Sequence, residues 1–158
     1  MLIGNFWIDL SKMEPYKLWK GGFVYGFFFE KSLYDATPLN QFIEQKFSDR
    51  KVKQHLNIAV TNVMNGDFKT FTEHHSNADL IKILQASVSF LGVSNPIQFR
   101  DSLYTSGSAI YENDVMAAIN HCELLGYEEE DIIIDSILGG ATKLSSFNAN
   151  KKNSIQIM

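Results

Sequence analysis

The chain has 158 residues, 45% hydrophobic and 20% charged, which is the composition of one globular domain rather than a disordered or fibrous protein. A net charge of −4 and a pI near 5.5 argue against a surface built to grip phosphate backbones, so nucleic acid is not an expected partner. The single cysteine, Cys122, excludes an internal disulfide framework and a multi-cysteine zinc site.

Met1 to Asp9 lacks a basic region ahead of a long apolar stretch, and no segment has ~18 consecutive apolar residues. The sequence is therefore read as intracellular, with no transmembrane segment. Gly21-Gly22-Phe-Val-Tyr-Gly26 and the following Phe27-Phe-Phe29 read as structural turns under a buried aromatic wall. An anion cradle would need backbone N–H groups aimed into an open site, usually after a clear strand. Thr37-Pro38 opens the first strong helix, with threonine suited to cap it and proline to its first position. Leu39, Phe42, Ile43 and Phe47 form its stripe.

Leu56, Ile58 and Val60 alternate as in a strand, expected over 56–63. Asn65-Gly66 predicts a type I′ hairpin turn, with positive φ at both residues, into a return strand at Phe68–Phe71. Ser76-Asn-Ala-Asp79 is a weak capping box ahead of a helix carrying Leu80, Ile83 and Leu84. Pro96–Arg100 and Ser102–Thr105 read as two short strands about a turn at Arg100-Asp101. Asn113 or Asp114 is placed to cap a helix with Val115, Ala118, Ile119 and Cys122 on one face and Gly126 at its C-terminal cap. The isoleucine-rich run 132–138 reads as a strand buried on both faces. The alternation of strands and helices predicts an α/β fold.

Chemistry-bearing patterns are sparse. His55, His74, His75 and His121 belong to no metal-ligand motif, and no cofactor is expected. Serine hydrolysis needs an activated hydroxyl, a base and an oxyanion hole. The sequence contains no G-x-S-x-G turn. Its nearest string, Gly92-Val-Ser-Asn-Pro96, replaces the second glycine with proline, so Ser94 reads as a loop residue.

Several strings, in order, resemble the C-terminal part of a patatin-like phospholipase domain. They are Trp19-Lys-Gly-Gly-Phe-Val-Tyr-Gly26, Leu33-Tyr-Asp-Ala-Thr-Pro-Leu39, Leu56–Phe68 and Asp79–Pro96. In the last of these, Ala86, Ser87, Gly92 and Pro96 match the family's Ala-Ser-Ser-x-x-Pro-Gly-type stretch, and Leu91 stands where proline is usual. Leu103–Val115 falls where the family carries its Asp-Gly-Gly or Asp-Gly-Ala motif. The resemblance spans roughly residues 16–138.

It implies a partial three-layer α/β/α hydrolase fold with a parallel or mixed sheet, and descent from lipid acyl hydrolases that use a Ser-Asp dyad. It also implies that the glycine-rich loop and nucleophile turn belong to a first half with no counterpart here. The dyad aspartate position is Ser106, in Ser106-Gly107-Ser108. A neutral hydroxyl cannot replace a carboxylate as base. Asp101 and Asp114 are nearby in sequence but suit turn and cap roles. The expectation is a catalytically inactive, truncated patatin-like domain over 1–140, with a polar tail at 141–158, acting as a structural or protein-binding subunit of a larger assembly. The alternatives are part of a composite acyl hydrolase whose nucleophile is on another chain, and a remnant that binds a lipid or acyl chain.

Overall fold

The computed structural model describes residues 2–111 and 114–137; the tail expected at 141–158 lies outside them. In chain order they form α1 (Leu2–Ser11), β1 (Lys17–Leu18), α2 (Gly22–Phe29), β2 (Tyr34–Asp35), α3 (Thr37–Phe47), β3 (Asn57–Asn62), β4 (Phe68–Thr72), α4 (Asn77–Ser87), β5 (Ile97–Phe99), β6 (Ser102–Ser106), a 3-10 turn (Gly107–Ala109), α5 (Val115–Leu124) and a second 3-10 turn (Glu129–Asp131).

Local chemistry sets most of these limits. The Ser76 hydroxyl accepts from the Asp79 N–H and caps α4, and the Asp114 carboxylate accepts from the Ala117 N–H and caps α5. Gly126, at φ +89°, takes the left-handed position after α5. At α3 the expected cap is corrected. Thr37 is already helical, and the Asp35 carboxylate accepts from the Thr37 N–H at 2.9 Å.

The main sheet has the order β4-β3-β6-β5, and every pairing is antiparallel. This corrects the expectation of a parallel or mixed sheet for the described residues, while the mixture of helices and strands stands. The reason is connection length: β3–β4 and β5–β6 are joined by hairpin loops too short for the crossover that parallel strands need. The first hairpin also departs from type I′. Asn62 and Asp67 bracket its loop, and Gly66 alone is left-handed, at φ +77°. Asn65 instead uses its side chain, whose carbonyl oxygen accepts from the Asp67 N–H.

Alternation along β3 sends Ile58 and Val60 to one face. There they meet Phe99, Tyr104 and the Leu80, Ile83 and Ala86 stripe of α4, forming the core. α3 packs on α4 through the Gln85 amide, which donates to the Asn40 carbonyl at 2.9 Å. The phenyl ring of Phe6 brings α1 onto α3 at Phe42 and Phe47. On the other face, Gly107 lies against Ala59, and the Thr70 hydroxyl donates to the Asp114 carboxylate at 3.2 Å.

Two further expectations are corrected. Residues 132–137 form no strand among the described residues, and Ile133 is 90% exposed. A strand requires a neighbouring strand, and isoleucine content alone does not supply one. Residues 22–29 form a helix, not turns, and Phe27, Phe28 and Phe29 are exposed rather than a buried wall. Among the described residues no helix is long and apolar enough to cross a membrane.

Candidate functional site

β6 ends at Ser106, and the chain then turns tightly through Gly107–Ala109. The turn is possible because residue 107 has no side chain: a Cβ there would stand 2.8 Å from the backbone of Ala59. Ser106 is buried, and its backbone N–H donates to the Ser89 carbonyl at 2.8 Å. Its Oγ lies 2.9 Å from Ser108 Oγ and accepts from the Ser108 N–H. The resulting pair is hydroxyl to hydroxyl, where a base would need a carboxylate or imidazole.

A cavity of about 280 Å³ opens beside this pair. Ser87 from the end of α4, Asn57 and Thr70 from the sheet, and Asp114 from the start of α5 share its wall with Ser106 and Ser108. Among the described residues, Asp114 is thus the one carboxylate in the wall of this cavity. Its oxygens take hydrogen bonds from Thr70 Oγ1 and Ala117 N. The cap role expected from sequence holds, but its place in the cavity wall had no sequence signal, because 44 residues separate it from Thr70.

The other serines are occupied elsewhere. Ser87 Oγ donates to the Leu84 carbonyl, and Ser89 Oγ to the Ala86 carbonyl. Ser94 Oγ accepts from the Phe90 N–H inside a closed loop, as expected for a loop residue. Asp101 sits exposed in the β5–β6 turn, away from these residues.

The histidines form a second polar group that spacing did not reveal. His55 Nδ1 is 2.9 Å from Glu73 Oε1, and its ring stacks on His121 with centroids 3.5 Å apart. Glu73 Oε2 accepts from the Leu56 N–H at 2.9 Å. Backbone N–H groups of Leu56 and Glu73, then His55, hold the Glu73 carboxyl down from 4.5 to about 2. His74 is exposed, with its Nε2 3.6 Å from Glu73 Oε1. No group of three or more potential metal ligands occurs among the described residues.

No curated protein and no solved structure gives a significant match to the chain. A family model, described as patatin-like phospholipase, matches residues 2–119. The match starts ahead of the first string that carries the sequence resemblance and covers most of the chain, including β3, α4, β6 and the Ser106–Ser108 turn. The chain belongs to the patatin-like phospholipase family.

Proposed function

We propose that this chain is a catalytically inactive patatin-like domain that serves as a structural or protein-binding subunit. What supports this reading is the hydroxyl pair of Ser106 and Ser108, in the string where the sequence resemblance puts the family's dyad aspartate. A serine hydroxyl is neutral near pH 7 and cannot accept a nucleophile's proton as a carboxylate would. The binding role is supported by apolar surface left uncovered on α2 and along 132–137.

The test is turnover of a fluorogenic acyl ester by the purified chain, alone and with co-purifying proteins. The expected result is no turnover in either sample. Turnover by the chain alone, lost on replacing Ser87 or Ser106 with alanine, would overturn the reading. A second reading, a composite acyl hydrolase with its nucleophile on another chain, is favoured by one observation: Asp114 places a carboxylate in the Ser106 cavity. It requires turnover by the complex only, with loss on Asp114→Asn.

A further inference from the structure

We propose that a second copy of this chain docks its acidic, isoleucine-rich segment 128–137 into the groove between α3, α4 and β3. The inference rests on the protein-binding role proposed above and names its partner. It does not depend on the chemistry of the Ser106 cavity.

The groove has a volume of about 340 Å³. Leu56 and Ile58 form its sheet wall, and Leu80, Ile81 and Leu84 its α4 wall. Ile58, Leu80 and Ile81 are buried, whereas Val52 at the rim is exposed, so the groove deepens away from solvent into apolar side chains. The rim has the opposite chemistry. Arg50, Lys51, Val52 and Leu56 also line a wider open depression that continues over Lys53, Gln54 and His55. Arg50 Nε donates to the Lys46 carbonyl at 2.7 Å, which anchors the side chain and leaves its terminal amino groups to receive a carboxylate. The ion pairs among the described residues use none of Arg50, Lys51 and Lys53.

The segment carries the complementary pattern. Glu128, Glu129, Glu130 and Asp131 lead into Ile132-Ile-Ile134, then Asp135 and Ile137, with no basic residue between 128 and 137. Glu128, Glu129 and Glu130 line one open depression. Ile137 and Ile133, at 93% and 90%, are the most exposed large hydrophobic side chains among the described residues. Side chains this exposed gain by burial in an apolar groove, and the carboxylates ahead of them meet the cations of its rim. The rim is also a local reversal of charge. Two copies of a chain with net charge −4 repel each other on average, and Arg50, Lys51 and Lys53 mark where an acidic segment of the second copy is accepted.

The geometry favours exchange between copies. The Gly126 N–H donates to the Glu123 carbonyl and the Tyr127 N–H to the Cys122 carbonyl, so the chain leaves α5 through a hydrogen-bonded turn. In the single chain the segment stands clear of its own groove, with Ile133 and Ile137 exposed. His121 of α5 stacks on His55 at the edge of the depression, which sets this helix beside the groove's rim. Two copies facing each other across a two-fold axis can then exchange segments reciprocally, each filling the other's groove, in the closed arrangement typical of homodimers.

The test is sedimentation velocity of the full chain and of two charge-reversed variants, Arg50→Glu with Lys51→Glu and Glu129→Lys with Glu130→Lys. The expected result is a dimer for the parent chain. Each variant should dimerise at least about tenfold more weakly, because like charges then face each other. An equimolar mixture of the two variants should restore the dimer. The reversed groove of one then meets the reversed segment of the other, and the two unreversed surfaces meet as in the parent. Association through α2 cannot give this restoration, since α2 carries no charge. All four substituted positions are exposed, and circular dichroism checks that the variants fold. If one does not, Ile133→Ser with Ile137→Ser decides the question by weakening the dimer to a similar degree. A monomeric parent chain, a dimer indifferent to both reversals, or a loss that mixing does not restore, as docking within one chain would give, would each overturn the proposal. A different protein recovered as partner by a monomeric parent chain would also overturn it, while leaving the protein-binding role in place.

Discussion

Gly107 is pressed against Ala59, so that a Cβ on residue 107 would meet the Ala59 carbonyl carbon, its oxygen and its Cβ at 2.8 Å. This contact lets the chain fold over β3 immediately after β6 and fixes where Ser106 and Ser108 face each other. The obstacle is backbone, which cannot rotate aside as a side-chain tip would. Gly107→Ala should therefore destabilise the fold by about 1–3 kcal/mol, the usual range for overpacking. A urea titration followed by circular dichroism measures it. An unchanged midpoint would show that the turn relaxes freely and that the contact does not set the Ser106 geometry.

The Glu73 carboxylate ties the entry of β3 to the end of β4 through Leu56 and His55. Its folded-state pKa, about 2, lies below the ordinary 4.5. The unfolded chain therefore takes up this proton first as pH falls. The stability contributed by Glu73 is complete above about 4.5 and is lost as pH drops from there towards 2. Glu73→Gln should flatten that part of the curve of unfolding midpoint against pH. It should lower the midpoint at neutral pH, where the ionised group holds its partners. A variant curve parallel to the parent curve through this window would count against the assignment.

Two isoleucines separate what was legible in the sequence from what was not. Ile83 belongs to a helical stripe behind a serine cap, and the periodicity identified both its element and its burial; it is 1% exposed. Ile133 belongs to an apolar run with no such internal check, since a strand is defined by a partner elsewhere in the chain. The same limit explains the sheet. Alternation and turn residues located β3, β4, β5 and β6, but sheet order and direction came from pairings that periodicity does not encode. α2 was missed because Phe23, Val24, Tyr25 and Phe27–Phe29 show no polar face from which a helical period could be read. At the candidate site, the resemblance singles out Ser106 by its string alone. The convergence of Thr70, Ser87 and Asp114 on one cavity is tertiary and left no local trace.

The contrast gives a direct measurement. Ile83→Ala should cost about 2–5 kcal/mol, because it removes a packed side chain and leaves a cavity between α4 and the sheet. Ile133→Ala should fall within about 0.5 kcal/mol, as for other exposed positions. Chemical denaturation of the two variants beside the parent chain compares them. A large loss at Ile133 in the isolated chain would mean that the 132–137 run is packed in solution.

Association is the remaining prediction, and α2 is where it is most exposed to test. Phe28 and Phe29 are 70% and 74% exposed on a helix without a charged residue, and Phe27 and Val24 extend the same apolar surface. Water-exposed aromatic area of this extent is favourable to bury against another surface. A standard stable interface covers about 800 Å² on each partner. Sedimentation velocity of the isolated chain at micromolar concentration should show self-association, while pull-down from its native source should recover a stoichiometric protein partner. Phe28→Ser with Phe29→Ser should weaken both, and it should leave the thermal midpoint nearly unchanged, because neither ring is part of the α4–sheet core. A parent chain that sediments as a clean monomer and recovers no partner would remove the support for a subunit role. The Ser106–Ser108 hydroxyl pair would then need an explanation within the single chain.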